Sequence, residues 1–179
     1  MDELVFGQPR GGIFQLGYIV EDLTAAIEYW IRDLKVGPWF RLDNFKFPDA
    51  EYRGGPYTAM ISQAMAFAGH MQIELIQPND ENPSVYREMI VDKGYGFHHF
   101  GVACDDVPAG IAELEAKGYQ VALRHTVPTG GIVAYMDGGK GQPGFLELVA
   151  STPGLEEMFG RFHQASIDWD GSDPVRPFG

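Results

Sequence analysis

Four residues whose side chains can bind a metal ion stand at repeated places in this sequence. They form two matching pairs, Gln15 with His99 and Glu74 with Glu147. Three oxygen donors and one imidazole nitrogen make a hard-to-borderline ligand set that suits Zn, Co, Ni, Mn or Mg. We therefore predict a site for one divalent metal ion and no organic cofactor.

The pairing of these residues depends on an internal repeat. Residues 14–23 align without a gap on residues 98–107, and residues 73–76 match residues 146–149 further along each copy. A repeat is to be recognised before individual elements are assigned. A lone Glu or His would indicate little, whereas ligand-type residues at equivalent positions of two copies favour a shared site.

Alternation along the strands predicts the direction of each side chain. Gln15 shares a face with Gly17, and His99 shares the matching face with Gly101. Each glycine is expected to leave open space beside its ligand, as a substrate cavity requires. His98 is predicted to point to the face opposite His99 and to pack toward a helix.

The two glutamates lie on strands with apolar neighbours. Glu147 stands between Phe145 and Val149 on its face, and Glu74 occupies the equivalent position in the first copy. An ionised carboxylate in such surroundings is costly to bury unless it is paired or bound to a metal. A metal ion would remove that cost for both residues.

The elements that must position these residues form the same βαβββ string twice. Aspartates begin each predicted helix as N-caps, at Asp22 and Asp106. Strands are predicted at 13–20, 39–47, 57–67 and 70–77, and again at 98–104, 119–126, 131–137 and 144–150. The expected fold is α+β, with two paired modules forming curved sheets around a central metal-binding cleft.

The predicted division of the chain follows the repeat. It comprises an N-terminal extension (1–12), a first module (13–78), a linker with a short helix (79–96), a second module (97–150) and a C-terminal helix and tail (151–179).

Composition excludes several classes of partner. The net charge of -12 argues against binding to nucleic acid or to an anionic membrane surface, which require clustered Lys and Arg. No apolar run approaches membrane-spanning length and no signal peptide is expected. The single cysteine, Cys104, cannot form an internal disulfide, so we expect a cytoplasmic location.

The paired modules resemble the vicinal oxygen chelate superfamily, which contains glyoxalases, bleomycin resistance proteins and extradiol dioxygenases. The features that carry the resemblance are the Gln-x-Gly and His-x-Gly strand openings, each followed by an acidic helix cap. Residues 97–103, residues 73–78 and the linker segment 82–84 are similar to the methylmalonyl-CoA epimerase branch. The superfamily's four ligand positions fall on Gln15, Glu74, His99 and Glu147.

The resemblance implies an enzyme that acts on a small carbonyl compound. Four protein ligands leave two adjacent metal positions for substrate oxygens, and a metal polarises the carbonyl when the neighbouring C–H bond breaks. The two catalytic candidates are Glu147, expected to be the principal base, and Glu74 on the other side of the metal. These residues would serve a metal-dependent isomerase or epimerase, expected to be a homodimer.

Aromatic and apolar residues on the remaining strands could line a substrate pocket. The predicted set is Trp39, Phe45, Tyr57, Met60 and Phe67. The acidic chain shows no basic cluster for the carboxylates of glutathione or the phosphates of coenzyme A. A smaller, largely apolar substrate is therefore favoured.

Three alternatives remain at this stage. A glyoxalase I-type lyase would use the same ligands, and a requirement for glutathione would distinguish it. An extradiol dioxygenase is less favoured, because that chemistry uses two His and one carboxylate on Fe(II), and Gln15 stands where a second His would be. A metal-free binding or resistance protein is a third reading, which the metal content of the purified protein would test.

Overall fold

The structure, a computed structural model, describes residues 3–47 and 49–179. Residues 1 and 2 of the predicted N-terminal extension and residue 48 of the first predicted module lie outside the described residues. Within the described residues the helices are α1 (Leu23–Leu34), α2 (Val85–Lys93), α3 (Val107–Glu115) and α4 (Pro153–Ser166). The strands are β1 (Ile13–Ile19), β2 (Trp39–Phe45), β3 (Glu51–Tyr52), β4 (Gly55–Pro56), β5 (Ile61–Ala68), β6 (Met71–Pro78), β7 (Gly96–Cys104), β8 (Gln120–Thr126), β9 (Ile132–Asp137), β10 (Phe145–Ala150) and β11 (Val175–Pro177).

All of these strands join into one curved, open sheet. Their order is β11-β2-β5-β6-β1-β7-β10-β9-β8-β3-β4, so the four long strands of each copy lie side by side, with β3 and β4 of the first copy added at the edge of the second. The two copies meet at the centre, where β1 runs antiparallel to β7. The predicted α+β class is confirmed, and the two copies pair within a single chain.

The helices after β1 and β7 begin where the sequence predicts. Asp22 accepts a hydrogen bond from the Ala25 backbone N–H, and Asp106 accepts one from the Ala109 backbone N–H. Each aspartate thus satisfies a backbone donor that the helix itself cannot. The helices α1 and α3 then cover one face of the sheet with separate apolar clusters.

The other face, here called the inner face, is covered by the remaining helices. A single large apolar cluster fills it, and Phe40 of β2 stacks on Phe162 of α4 with ring centroids 3.8 Å apart. The helical members of this cluster are Val85, Tyr86 and Met89 from α2 and Leu155, Phe159 and Phe162 from α4. The central region is therefore a packed core.

Short strands extend the sheet at both edges beyond the predicted string. The β3–β4 hairpin turns at Gly54, whose positive φ favours glycine, and pairs with β8 of the second copy through Glu51 and Arg124. At the other edge, β11 pairs in parallel with β2. The strand predicted at 57–67 begins only at Ile61, because residues 57–60 form the connection between this hairpin and β5.

Matching irregularities interrupt the pairing of β1 with β7. The register passes from Ile13 to Gln15 on one strand, and from Phe97 to His99 on the other, with one unpaired residue in each case. Phe14 and His98 are therefore at β-bulges, and the internal repeat aligns these two residues with each other. A bulge breaks the strict alternation of side chains between faces.

Candidate metal centre

The structure brings the four predicted ligands together on the inner face. Their strands β6, β1, β7 and β10 are neighbours at the centre of the sheet. The His99 Nε2 atom lies 3.2 Å from Gln15 Oε1. The same nitrogen lies 3.2 Å from Glu147 Oε2 and 3.4 Å from Glu74 Oε2. Metal bonds of about 2.0–2.2 Å at right angles would separate neighbouring donors by about 3 Å, so these spacings suit one ion.

Two glycines make this convergence possible. On the paired strands, Gly17 is opposite His99 and Gly101 is opposite Gln15. A Cβ atom at Gly17 would lie 2.0 Å from the His99 ring, and one at Gly101 would lie 2.6 Å from Gln15 Oε1. The prediction of open space beside each ligand is therefore wrong, because the ligand of the other strand fills it.

His98 does not point away from His99. Its Nδ1 lies 2.9 Å from His99 Nδ1, and its Nε2 lies 3.3 Å from the Val85 carbonyl oxygen of α2. The predicted contact with a helix is confirmed, whereas the predicted orientation to the opposite face is wrong. The β-bulge is the physical reason, since it brings two consecutive side chains to one face.

The four predicted ligands are buried, and within the described residues one oxygen of each carboxylate lacks a hydrogen bond. Side-chain exposure is 0% for His99, 5% for Glu74 and 8% for Glu147. Within the described residues, neither Glu74 Oε2 nor Glu147 Oε2 has a hydrogen-bond partner. Buried carboxylate oxygens without donors are strongly unfavourable, and one imidazole N–H cannot serve three oxygens. The donor types and these orphaned atoms fit a divalent cation.

The surroundings of the two carboxyl groups shift their pKa values in opposite directions. Burial raises the pKa of Glu74, and the opposing attraction of His99 does not overcome it. Burial also tends to raise the pKa of Glu147, but the charge of His99 and hydrogen bonds with His99 and Tyr135 lower this pKa overall. Burial alone would lower the pKa of His99, yet Glu147 and Glu74 together raise it to about 9.

Gln15 is held by a second glutamine. Gln15 Nε2 donates to Gln72 Oε1 at 2.7 Å, across the parallel pair of β1 and β6. Because the amide nitrogen is occupied in this way, the amide oxygen faces His99. Gln72 is fully buried, and its own Nε2 has no partner within the described residues.

The predicted pocket residues take different places. Trp39 packs against α1 on the face opposite the ligands, with its indole 5.9 Å from Trp30, so the structure does not bring it to the site. Phe67 belongs to the inner-face cluster, as does Tyr57, and Phe45 packs against that cluster.

Met60 and Tyr57 lie before β5. The backbone N–H of Met60 donates to Asp80, which holds this partly exposed residue at the loop that precedes the strand. Tyr57 is 8% exposed, and its hydroxyl has no hydrogen-bond partner within the described residues. Burial raises the pKa of Tyr57 above its ordinary range.

Three residues near the centre were not predicted to act there: His98, Gln72 and Tyr135. The Tyr135 ring lies 5.1 Å from the ring of His99, and its hydroxyl donates to Glu147. Gln72 could have been found, because period-two alternation places it on the same face as Glu74. His98 and Tyr135 carry no comparable signal, since a bulge and a cross-strand register determine their positions.

A surface cavity reaches the outer side of this core. It has a volume of about 440 Å³ and includes Phe145, Met89 and Arg53 among its lining residues. Phe145 is the strand neighbour of His99, so it stands between this cavity and the ligand set. Arg53 is ion-paired there with Glu88 and Asp137, which limits its availability to a charged ligand.

The repeated modules and the ligand set define a class of small mixed α/β proteins with a central site. The chain belongs to the glyoxalase/bleomycin resistance protein/dioxygenase superfamily, whose sequence pattern matches residues 14–135. Comparison with curated protein sequences gives no significant match. None of the helices in the described part of the chain has the length and apolar character needed to cross a membrane.

Solved structures share the fold at low sequence identity. A hypothetical protein from Bacillus halodurans C-125 has a TM-score of 0.59 and 19% identity, covering 79% of this chain and 94% of its own. Methylmalonyl-CoA epimerase from Mycobacterium tuberculosis has a TM-score of 0.58 and 20% identity, covering 82% and 91%. A variant of the Streptomyces coelicolor methylmalonyl-CoA epimerase, in complex with 2-nitronate-propionyl-CoA, has a TM-score of 0.54 and 19% identity, covering 81% and 97%. These likenesses establish the fold that the chain shares with them.

Proposed function

We propose that the protein is a metal-dependent isomerase or epimerase that moves a proton at a carbon next to a carbonyl group. The observation that carries the proposal is the position of two buried carboxylates. Glu74 and Glu147 approach His99 Nε2 from β6 and β10, on the two sides of the β1–β7 pair. Among the residues that the structure describes, the Oε2 atom of each has no hydrogen-bond partner. Two such groups around one centre can remove a proton from a carbon and return one to it.

The proposed metal ligands are Gln15, Glu74, His99 and Glu147. A bound divalent ion would polarise the carbonyl and stabilise the negative charge that develops on its oxygen when the adjacent C–H bond breaks. The orphaned oxygens of Glu74 and Glu147 support this assignment, because a cation would satisfy both. The identity of the ion is open among Zn, Co, Ni, Mn and Mg.

Glu147 is the proposed base and Glu74 the proposed acid. The lowered pKa of Glu147 favours its ionised form, which can accept a proton from the carbon. Glu74, once released from the ion, can hold a proton, which its raised pKa in the metal-free protein favours, and return it to the other face of that carbon. Carboxyl groups whose surroundings push their pKa values apart are suited to these opposite roles.

The proposed substrate is small and largely apolar apart from its carbonyl. Rings of the inner-face cluster surround the site, among them Phe145 and Tyr135. The variant epimerase from Streptomyces coelicolor binds a coenzyme A compound, which supports a thioester as one substrate to examine. The net charge of -12 and the ion-paired state of Arg53 favour a ketone or thioester without a large anionic group.

Proton exchange in deuterated water tests the proposal. A responsive ketone or thioester should gain deuterium at the carbon next to its carbonyl, as read by mass spectrometry, even without net conversion. Glu147→Gln should keep much of the metal, because its amide oxygen can still bind, yet lose most of the exchange, because an amide is not a base. Glu113→Gln, on the exposed side of α3, is the matched control and should exchange like the parent.

Two results would count against the assignment. Exchange that survives in both Glu74→Gln and Glu147→Gln would place the base elsewhere. Purified protein that contains no metal and exchanges no substrate would favour a binding protein.

A glyoxalase I-type lyase is the second candidate, because its Gln, Glu, His and Glu ligand types resemble this set, and it would require glutathione for turnover.

A further inference from the structure

We infer that His98 is a positioning residue that prepares His99 to bind the metal. In this inference His98 accepts a hydrogen bond from His99 Nδ1 and thereby leaves the lone pair of His99 on Nε2, the atom that faces the other three ligands. The inference rests on the proposed metal site, and it assigns a role to a residue outside the ligand set.

The geometry forms a chain of contacts from α2 to the ligands. The Val85 carbonyl oxygen lies 3.3 Å from His98 Nε2, and His98 Nδ1 lies 2.9 Å from His99 Nδ1. His99 Nε2 then lies 3.2 Å from Gln15 Oε1. Both histidines are fully buried, so water does not compete for these nitrogens.

Hydrogen-bond chemistry allows one arrangement of protons for the two contacts between Val85 and His99. A carbonyl oxygen can only accept, so the nitrogen beside Val85 must be the N–H of His98. A neutral imidazole carries one N–H, which leaves His98 Nδ1 as an acceptor. The proton between the two rings therefore belongs to His99 Nδ1, and a neutral His99 presents its lone pair at Nε2.

The opposite arrangement fails at Val85 and would leave His99 in the wrong tautomer for a metal. If His98 Nδ1 carried the proton, its Nε2 lone pair would face the lone pairs of the Val85 carbonyl. His99 would then carry its own proton on Nε2, where it would occupy the position needed for a metal bond. Metal-binding histidines generally donate their second N–H to an acceptor that fixes the ring and its tautomer, and His98 is that acceptor here.

Packing holds His98 in this orientation. Its ring centroid lies 5.1 Å from Tyr86, 5.1 Å from Phe145 and 5.7 Å from Tyr135, which restricts rotation of the ring. The equivalent bulge in the first copy carries Phe14, which has no polar atom. That copy needs no tautomer control, because its ligand is an amide and Gln72 already orients it.

Zn²⁺ affinity of two variants tests the role of the Nδ1 acceptor. His98→Phe keeps a ring but removes the acceptor, and we expect it to weaken Zn²⁺ binding about 10- to 100-fold, the range for residues that support a ligand. His98→Asn places an amide oxygen near the position of Nδ1 and should restore most of the affinity. Thermal unfolding and circular dichroism would establish that both variants fold. Equal Zn²⁺ affinity in the parent and His98→Phe, or an equal loss in both variants, would overturn the inference.

The tautomer of His99 gives a second readout that does not depend on metal binding. In metal-free protein, the ¹⁵N shifts of neutral His99 should report a proton on Nδ1 in the parent and in His98→Asn, and a mixture of tautomers in His98→Phe. A proton on Nε2 in the parent would overturn the inference. A parent with the proton on Nδ1 that binds no Zn²⁺ would instead contradict the proposed function and leave the role of His98 in orienting the ring supported.

Discussion

Gly17 lies directly opposite His99 on the central antiparallel strands, so closely that the His99 ring occupies the space of the missing glycine side chain. Gly101 stands in the same relationship to Gln15. Each of these predicted ligands therefore depends on a glycine in the other copy of the repeat. The Gln-x-Gly and His-x-Gly patterns are two halves of one interlocking arrangement, in which each strand supplies both a ligand and the space for its partner.

Substitution of Gly17 by alanine should remove the His99 ring from the site. A Cβ atom 2.0 Å from His99 Cε1 cannot be accommodated without moving either the ring or the strand. We expect the free energy of unfolding to fall by about 1–3 kcal/mol, as for other overpacked cores. The Zn²⁺ affinity should fall by more than in His98→Phe. Chemical denaturation and calorimetric Zn²⁺ titration would measure both effects.

Gly55→Ala is a suitable control for this substitution. Gly55 lies in β4, and the nearest atom to an added Cβ is the Tyr52 carbonyl oxygen at 3.6 Å, an ordinary contact. This variant should match the parent in both measurements. Parent-like Zn²⁺ affinity in Gly17→Ala would show that His99 does not need its present position to bind the ion.

Removal of the Gln72 side-chain amide should release Gln15. In Gln72→Leu the Gln15 amide loses the acceptor that directs its oxygen to the site, and Zn²⁺ affinity should fall about 10- to 100-fold. Gln72→Glu keeps an oxygen acceptor at this position and should retain more of the affinity. A Gln72→Leu protein that binds Zn²⁺ like the parent would mean that Gln15 is oriented by other contacts or is not a ligand.

Metal binding should release protons and strengthen as the pH rises. The His99 pKa is raised to about 9 in the metal-free protein, so at neutral pH its Nε2 carries a proton that must leave before a metal bond forms. Apparent affinity should therefore fall about tenfold for each pH unit below that pKa, for each proton displaced. Calorimetry in buffers of different ionisation enthalpy would count the protons.

The raised pKa of Glu74 adds to this effect at lower pH, because its carboxyl group must also ionise to bind an ion. The affinity rises with pH because protons and the metal ion compete for the same atoms. Affinity that stays constant between neutral pH and the His99 pKa would contradict the assignment of His99 as a ligand.

Tyr57 and Tyr135 should respond oppositely to loss of their hydroxyl groups. The buried Tyr57 hydroxyl has no hydrogen-bond partner in the part of the chain that the structure describes, so Tyr57→Phe should leave the free energy of unfolding unchanged or raise it, by up to about 3 kcal/mol. Tyr135→Phe removes a donor from the buried Glu147 carboxylate and should lower that free energy. Denaturant unfolding of the two metal-free variants would compare them, and a marked loss of stability in Tyr57→Phe would reveal an unrecognised partner of that hydroxyl.

The sequence was sufficient to predict the repeated βαβββ order and the helix starts at Asp22 and Asp106, because the repeat and the caps are local signals. It also predicted that Gln15, Glu74, His99 and Glu147 would lie together, because equivalent positions of paired modules share a face. Their roles as ligands and bases stay predictions, as do the identity of the ion, a homodimer and a cytoplasmic location.

Other features depend on contacts that no local pattern contains. The position of His98 follows from a bulge, which shifts the register without altering the apolar pattern of β7. In the sequence, Trp39 and Phe67 are both aromatic residues of predicted strands. In the structure they lie on opposite faces of the sheet because of the register of β2 and β5. The covering of the inner face by α2 and α4 depends on packing between segments far apart in the chain.

The ligand set also crosses the boundary between the two halves of the chain, since β1 and β6 precede that boundary and β7 and β10 follow it. An ion bound at this place would therefore link the two halves of the chain. Ligation of this kind adds about 4 kcal/mol to stability when the free ion is at 1,000 times its dissociation constant. Amide hydrogen exchange should slow most in β6, β1, β7 and β10, and least in the edge strands β4 and β11.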